Sequence, residues 1–428
     1  MESRNIAIVG GGVGMLSILD HLSKQVDGIC NISVFMKNTT GIGEAYRFAP
    51  DELIMNTRND SINFFDHIVD FKQWLKKHHN DISSEFEFIP RRIFGSYLHL
   101  VKKKILNKLR LKGHRVEFRE EIKEIDKKGT IVTQNGDYKY FSAIFVSVGF
   151  GTDTAIKENT IKIRNIPKNG TLNIVGSGLS AIDWIILTNS IRPDIFINVV
   201  SKSGLFPAVR SSFSSSDYPN IIESNEELIK KPDLIKFLKI LRNECKKDIN
   251  YGLDDFINLL IPNRSLSEEL SIAQKRIPVW QPLLYRSTVN YKDFFKALPE
   301  YQKKYLLKRR SKFINRRGMF PVKNAKIIHE LIESNRLKIE SKTIPDDEIS
   351  AIDTINCTND NLAMYEFLDR INIDCLDRNK IVNNNFKACV SRNLYLLGPA
   401  TNTVNFFTEV SSLTYVHAEH AVKDYLNH

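Results

Sequence analysis

The hydrophobic positions near the start of the chain change period once. Asn5-Ile-Ala-Ile-Val9 is a continuous apolar run of strand length, and Leu16, Ile18, Leu19 and Leu22 follow at helical spacing. Gly10, Gly12 and Gly14 lie between the two, and Ile32-Ser-Val-Phe35 supplies the next strand. This order predicts a strand, a tight glycine turn, a helix and a second strand. It returns later as Leu172-Asn-Ile-Val175, then Gly176, Gly178, Ser180 and Ala181, a helix, and Ile195-Phe-Ile-Asn-Val-Val200. Between the copies, Ala143-Ile-Phe-Val-Ser-Val-Gly149 reads as a buried strand ending in glycine. Residues 221 to about 317 read mostly as helices, at 228–241, 253–260 and 294–312. A helix at 325–333, strands at 337–340, 351–356 and 393–397, and a helix at 415–425 complete the pattern. The fold class expected is α/β, with two Rossmann-like, three-layer nucleotide-binding domains. The first takes residues 1–165 and 385–428; the second takes 166–384, with a helical insertion at about 215–317.

Composition agrees with that division. A chain of 428 residues exceeds what one hydrophobic core usually holds, given roughly 150 residues per domain. Its 42% hydrophobic and 26% charged residues mark a globular protein rather than a disordered one. No uncharged apolar run approaches the roughly 20 residues of a membrane helix. The N-terminus enters a strand directly, so a cytoplasmic location away from any membrane is expected. Cys30, Cys245, Cys357, Cys375 and Cys389 form no C-x-x-C pair; their scatter suits buried reduced thiols, and no structural metal is expected. The net charge of +11 does not by itself choose an anionic partner. Lys102, Lys103, Lys104, Lys108 and Arg110, and the basic residues of 303–317, fall at helical spacing with apolar residues between them. They read as solvated helix faces, not as a nucleic-acid surface.

A glycine turn between strand and helix lets the backbone approach a pyrophosphate, whose charge the helix N-terminus holds. The first copy departs from the dinucleotide fingerprint twice. Met15 stands where a third small residue is expected, and Met36 stands where an acid would hold a ribose hydroxyl, leaving Asn38, Thr39 or Thr40 as substitutes. The second copy is the cleaner G-x-G-x-x-A match. Its following strand ends in Ser201-Lys202-Ser203, a cation and hydroxyls in place of an acid, which favours the 2′-phosphate of NADPH over NADH. Two such turns a domain's length apart are what an enzyme needs to hold a flavin nucleotide and a nicotinamide nucleotide together.

Three further motifs follow in order: Gly41-Ile-Gly43-Glu44-Ala-Tyr46, Leu53-Ile-Met-Asn56-Thr57, and Pro90-Arg91-Arg-Ile-Phe94-Gly95-Ser-Tyr97-Leu98. With the first glycine turn they resemble the FAD/NAD(P)-binding proteins related to flavin monooxygenases and amine N-hydroxylases. Ile355-Asn356-Cys357-Thr358-Asn359, where the family more often ends in glycine, and Gly398-Pro-Ala400 with Glu409 extend the resemblance toward the C-terminus. It implies that FAD binds at Gly10, Gly12, Gly14, Gly41, Gly43, Glu44, Tyr46, Thr57, Arg91 and Gly398. The second turn, Gly176, Gly178, Ser180 and Ala181, would take NADPH together with Ser201 and Lys202, and Asn56 would face the flavin as the catalytic residue.

The implied reaction has NADPH reduce FAD, and molecular oxygen then hydroxylate a nitrogen or sulfur of a small-molecule substrate while NADP⁺ stays bound. The F-x-G-x-x-x-H fingerprint of several such monooxygenases is absent, since no histidine occurs between His114 and His329. A dehydrogenase or reductase without oxygen insertion therefore stays open. So does a non-catalytic nucleotide-binding protein, given Met15, Met36 and Asn359. There is no G-x-S-x-G elbow and no H-E-x-x-H, which argues against a hydrolase or metalloprotease. Phe256, Trp280, Tyr285, Tyr291 and Phe295 in the insertion are either core or the lining of a substrate pocket.

Overall fold

Strands that are apolar on both faces must be covered on both faces, and the protein builds two parallel sheets from them. The computed structural model describes residues 3–37, 41–47, 49–85, 87–125, 130–149, 155–249, 251–343, 353–358, 367–369, 382–383, 386–388, 393–402, 404–408 and 410–427. Asn38, Thr39, Thr40, Asn359, Cys375, Cys389 and Glu409 lie outside them. The chain forms two compact units, the first from 1–51, 58–153 and 360–428, the second from 52–57 and 154–359. The sequence pattern places the boundaries after 165 and before 385, and keeps 52–57 in the first domain.

In the first unit five parallel strands lie in the order Leu394–Leu396, Ala143–Val146, Arg4–Val9, Cys30–Phe35, Arg115–Arg119. The chain progresses outward from Arg4–Val9 to Arg115–Arg119, then returns to the opposite side of Arg4–Val9. At such a reversal a crevice opens outside the carboxyl ends of the strands. The helix Val13–Gln25 follows the first glycine turn and packs on the helices Ser411–Leu426 and Arg91–Leu111. Its Met15, Leu16, Ile18 and Leu19 are fully buried, each contributing about 1.5–3 kcal/mol. Val9, Phe35, Phe141, Val146 and Leu396 share one core with a small antiparallel sheet, Ile122–Ile125, Thr130–Thr133 and Tyr138–Tyr140. The sequence reading omits this sheet, although Asn135-Gly136 forms its second hairpin turn, with Gly136 at φ +83°.

The second unit repeats the plan with four parallel strands, in the order Leu337–Ser341, Phe196–Ser201, Thr171–Val175, Thr354–Asn356. The helices Leu179–Ile191 and Val322–Glu333 pack on it through Ala181, Ile182, Ile185, Ala325 and Ile328. The helical insertion leaves through the two-residue strand Val209–Arg210 and returns through Phe320–Pro321, which pair with each other. Two helices expected to be continuous are interrupted by proline, which lacks the N–H that the ladder needs. Pro232 separates Glu226–Lys230 from Leu234–Cys245, and Asp233 caps the latter by accepting from the Lys236 N–H at 2.8 Å. Pro299 separates Tyr291–Ala297 from Glu300–Lys308, and a third helix, Arg310–Arg317, follows.

Phe256, Trp280, Tyr291 and Phe295 are buried core residues, whereas Tyr285 is only half-buried. Among the described residues no helix is long and apolar enough to cross a membrane, and no group of three His, Cys, Asp or Glu could hold a metal.

Candidate functional site

At the first glycine turn the Gly10 N–H donates to the Phe35 carbonyl at 2.8 Å, and Gly10 takes φ +119°, where side chains are strained. A Cβ on Gly10 would collide with the Ser147 carbonyl, and one on Gly14 with the Ser147 hydroxyl. Ser147 directly follows the neighbouring strand. The helix therefore makes its close approach at Gly14, one position before Met15. Met15 itself is fully buried, its Cε 3.1 Å from the point a Gly41 Cβ would occupy. The departure from the fingerprint at residue 15 is thus absorbed one residue earlier.

The structure brings the two glycine motifs of this unit together. The Gly43 N–H donates to the Gly11 carbonyl at 3.1 Å, and a Cβ on Gly12 would lie 3.6 Å from the Gly43 Cα. Residues 10–12 and 41–43 thereby form one surface with almost no side chains at the carboxyl edge of the sheet, as a bound pyrophosphate requires. Glu44 and Tyr46 lie in the short helix Glu44–Arg47. The Tyr46 ring meets Phe94 edge-on at 5.0 Å, and its hydroxyl lies 3.2 Å from the Ser411 hydroxyl. A Cβ on Gly95 would strike the Tyr46 carbonyl, which is why the helix opened by the half-buried Arg91 carries glycine there. Gly398, at φ +68°, follows Leu397, whose N–H donates to the Val146 carbonyl at 2.9 Å. Met36 is buried with its Sδ 2.8 Å from the point a Gly11 Cβ would occupy, so it packs on the turn where the fingerprint has an acid.

Two residues of this unit escape the sequence reading. Lys102 is not a solvated surface lysine. It is half-buried, burial pushes its ammonium below the usual value, and its Nζ stands 2.8 Å from the Gly41 Cβ point. Its place beside Leu98, Val101 and Ile105 on the buried stripe of Arg91–Leu111 is the available signal. Asn405 is buried with both polar side-chain amide atoms unpaired among the described residues, and nothing in the sequence marks it.

In the second unit the Gly176 N–H donates to the Val200 carbonyl at 2.7 Å, with Gly176 at φ +105°. Gly178 precedes the helix Leu179–Ile191, whose first turn holds the partly buried Ser180 and the buried Ala181. The Ser177 hydroxyl donates to the Leu205 carbonyl at 2.7 Å, tying the turn to the loop after the next strand. Ser201 ends that strand and its hydroxyl accepts from the Gly204 N–H at 3.1 Å, while Lys202 is exposed. Asn356 closes its own turn by accepting from the Thr358 N–H and hydroxyl at 2.9 and 2.7 Å.

Asn56 and Thr57 belong to this second unit. The Asn56 carbonyl accepts from Arg210 Nη1 at 3.2 Å, and the Thr57 hydroxyl bonds the phenol of Tyr285. The Arg210 guanidinium, which is buried, and that of Arg317 each lie 4.4 Å from the centre of the Tyr285 ring. Arg317 also donates twice to the Thr288 hydroxyl, at 3.0 and 2.9 Å. Burial alone would raise the Tyr285 phenol; the two guanidiniums, with hydrogen bonds from Arg210 and Thr57, outweigh it and hold the phenol below its ordinary value. The two cations against the ring thus favour the ionised form of the phenol. The sequence reading saw Tyr285 only as an aromatic and Arg317 only as part of a basic helix face.

A family model described as FAD-NAD(P)-binding matches residues 7–151, from within the strand Arg4–Val9 past the strand Ala143–Val146. No protein of curated function matches the chain in sequence. Solved structures match along its whole length. DfoA bound to FAD, the desferrioxamine-pathway cadaverine monooxygenase from Erwinia amylovora, is 11% identical with a TM-score of 0.54, covering 100% of this chain and 95% of that one. The lysine monooxygenase NbtG from Nocardia farcinica is 10% identical with a TM-score of 0.53, covering 97% and 99%. The ornithine N-hydroxylase KtzI from Kutzneria sp. 744 is 12% identical with a TM-score of 0.51, covering 100% and 99%. At these identities the likeness shows the fold, two Rossmann-like α/β units.

Proposed function

We propose that the protein is an FAD- and NADPH-dependent monooxygenase that hydroxylates a nitrogen or sulfur of a small-molecule metabolite in the cytoplasm. The observation that carries this reading is the duplication itself: each unit sets a glycine turn at the reversal point of its own parallel sheet, so one chain holds two dinucleotide sites. The fold shared with DfoA, NbtG and KtzI, named for cadaverine, lysine and ornithine, favours an amine nitrogen as the acceptor.

The residues fit these cofactors. Gly10, Gly12, Gly14, Gly41 and Gly43, with the N-terminus of Val13–Gln25, would hold the FAD pyrophosphate, and Lys102 would add a positive charge beside Gly41. Glu44, Tyr46, Arg91 and Gly398 would complete that site. Gly176, Gly178, Ser180 and Ala181 would hold NADPH, with Ser201 and Lys202 toward its 2′-phosphate. The flavin supplies the electron transfer from NADPH to oxygen; the protein supplies orientation and exclusion of water. The Arg210 bond to the Asn56 carbonyl fixes the backbone that carries the proposed catalytic amide.

Purified protein should take up FAD, the flavin should be reduced anaerobically by NADPH, and oxygen with candidate amines or thioethers should give hydroxylated product in place of hydrogen peroxide. Asn56→Ala should leave reduction by NADPH nearly intact and raise peroxide release at the expense of product. Reduction without hydroxylation of any nitrogen or sulfur compound would establish the reductase reading instead, and protein that takes up no FAD would overturn both.

A further inference from the structure

Asn405 is 2% exposed, and among the described residues neither Oδ1 nor Nδ2 of its side chain has a hydrogen-bond partner. An asparagine amide carries two N–H donors and an acceptor oxygen, and burying them unpaired is costly enough that most buried amides are satisfied. Its backbone is firmly held. The Asn405 N–H donates to the Thr401 carbonyl at 2.8 Å, and the Thr401 hydroxyl donates to the Gly398 carbonyl at 2.9 Å. Leu397 joins this turn to the Val146 end of the neighbouring strand. The amide is therefore set by the turn following Leu394–Leu396, at the same carboxyl edge that carries residues 10–12 and 41–43.

Position along that edge decides what a nucleotide would present. A pyrophosphate at the Gly10 turn divides the cofactor in two. The ribose-binding position of the fingerprint is Met36, after Cys30–Phe35, so the adenosine half would lie to that side. The flavin half would then lie to the other side, toward Ala143–Val146 and Leu394–Leu396, the side of the turn that carries Asn405. We propose that Asn405 binds the flavin ring, its amide N–H and C=O pairing with the carbonyl and N–H groups of the ring's imide edge. This rests on the FAD reading above and adds a residue to it.

Leucine at 405 keeps the size and removes every polar atom. Asn405→Leu should weaken FAD tenfold or more, the equivalent of losing one or two well-made hydrogen bonds, by spectral titration of the apoprotein. The apoprotein should melt no lower than wild type, because an unpaired buried amide has been removed. Asn405→Asp keeps the shape but sets a negative charge against the ring, and should lower the flavin midpoint potential as well as the affinity. A merely structural amide gives the opposite pattern: a lower apoprotein melting temperature with FAD affinity and potential unchanged, which would overturn the assignment. Should the leucine variant fail to fold, the potential of the aspartate variant decides. Wild-type protein that takes up no FAD removes the underlying reading and this one with it, whereas wild-type binding matched by both variants removes Asn405 alone.

Discussion

The first backbone bond of each glycine turn gives a common register: Gly10 to the Phe35 carbonyl in the first unit, Gly176 to the Val200 carbonyl in the second. From it, Gly11 matches Ser177, Gly14 matches Ser180, Met15 matches Ala181, Met36 matches Ser201 and Lys37 matches Lys202. In the first unit the neighbouring strand presses Ser147 against both Gly10 and Gly14, and a buried methionine fills the next position. In the second the neighbouring strand end is less close, with Cys357 atoms 3.1 Å from where a Gly176 Cβ would be, and serine is accommodated at 180. At the far side Met36 packs its sulfur on Gly11, whereas Ser201 turns its hydroxyl to its own loop and leaves Lys202 exposed. A fingerprint position is thus a statement about spacing between two strand ends. When that spacing shifts, the small residue shifts with it.

The widest difference should appear on adding one methyl group to each turn. Gly14→Ala drives a Cβ into the Ser147 hydroxyl and should cost about 1–3 kcal/mol in urea unfolding, together with FAD binding. Gly178→Ala meets only Asn315 Oδ1, at 4.0 Å, and should change stability by less than about 0.5 kcal/mol. Adding Ser147→Gly to Gly14→Ala should restore much of the loss; no restoration would mean that Ser147 is not what makes Gly14 necessary.

A second, similar contrast lies at the matched lysines. Lys202→Ala should weaken NADPH roughly tenfold to a hundredfold, since a charge-assisted contact is worth about 1.5–3 kcal/mol, and spare NADH. Lys37→Ala should leave FAD affinity within a factor of about two, because FAD carries no 2′-phosphate. Equal losses of NADPH and NADH in the Lys202 variant would place that lysine on the shared pyrophosphate or in the fold.

The glycine turns, the inner strands of both parallel sheets and the helical insertion were legible because their signals are local: apolar runs, glycines, helical spacing; the edge strand Arg115–Arg119, which alternates charged and apolar residues, was not read. Pro232, Pro299 and Asn135-Gly136 are equally local, and a stricter reading of them would have split the two helices and found the small sheet. Lys102 was half legible, since its neighbours Leu98, Val101 and Ile105 give it a buried face. Arg210, Tyr285 and Arg317 lie far apart in sequence, and only the folded insertion gathers them. The Asn405 amide is defined by what does not touch it, and periodicity carries no trace of that.

The smallest expected effect is a slope rather than a step, and it contrasts tyrosines of the two units. In the first unit burial pushes the Tyr97 phenol up, and its hydroxyl donates to the Val69 carbonyl at 2.8 Å. In the second, burial of Tyr285 is overridden by Arg210 and Arg317, which hold it below the ordinary 10.0. Between its lowered folded value and 10.0, folded Tyr285 has released a proton that the unfolded chain still holds. Stability from this group therefore grows as pH rises through that window, is complete above 10.0, and is absent below the folded value. The stability gap between wild type and Tyr285→Phe should widen as pH approaches 10, and Arg317→Ala should narrow the widening. In ultraviolet titration, Tyr285→Phe should remove an early-ionising phenol. A gap that stays flat or closes with rising pH would mean that burial prevails at Tyr285 as it does at Tyr97, and that the two arginines are bound to the ring face without stabilising a charge on its oxygen.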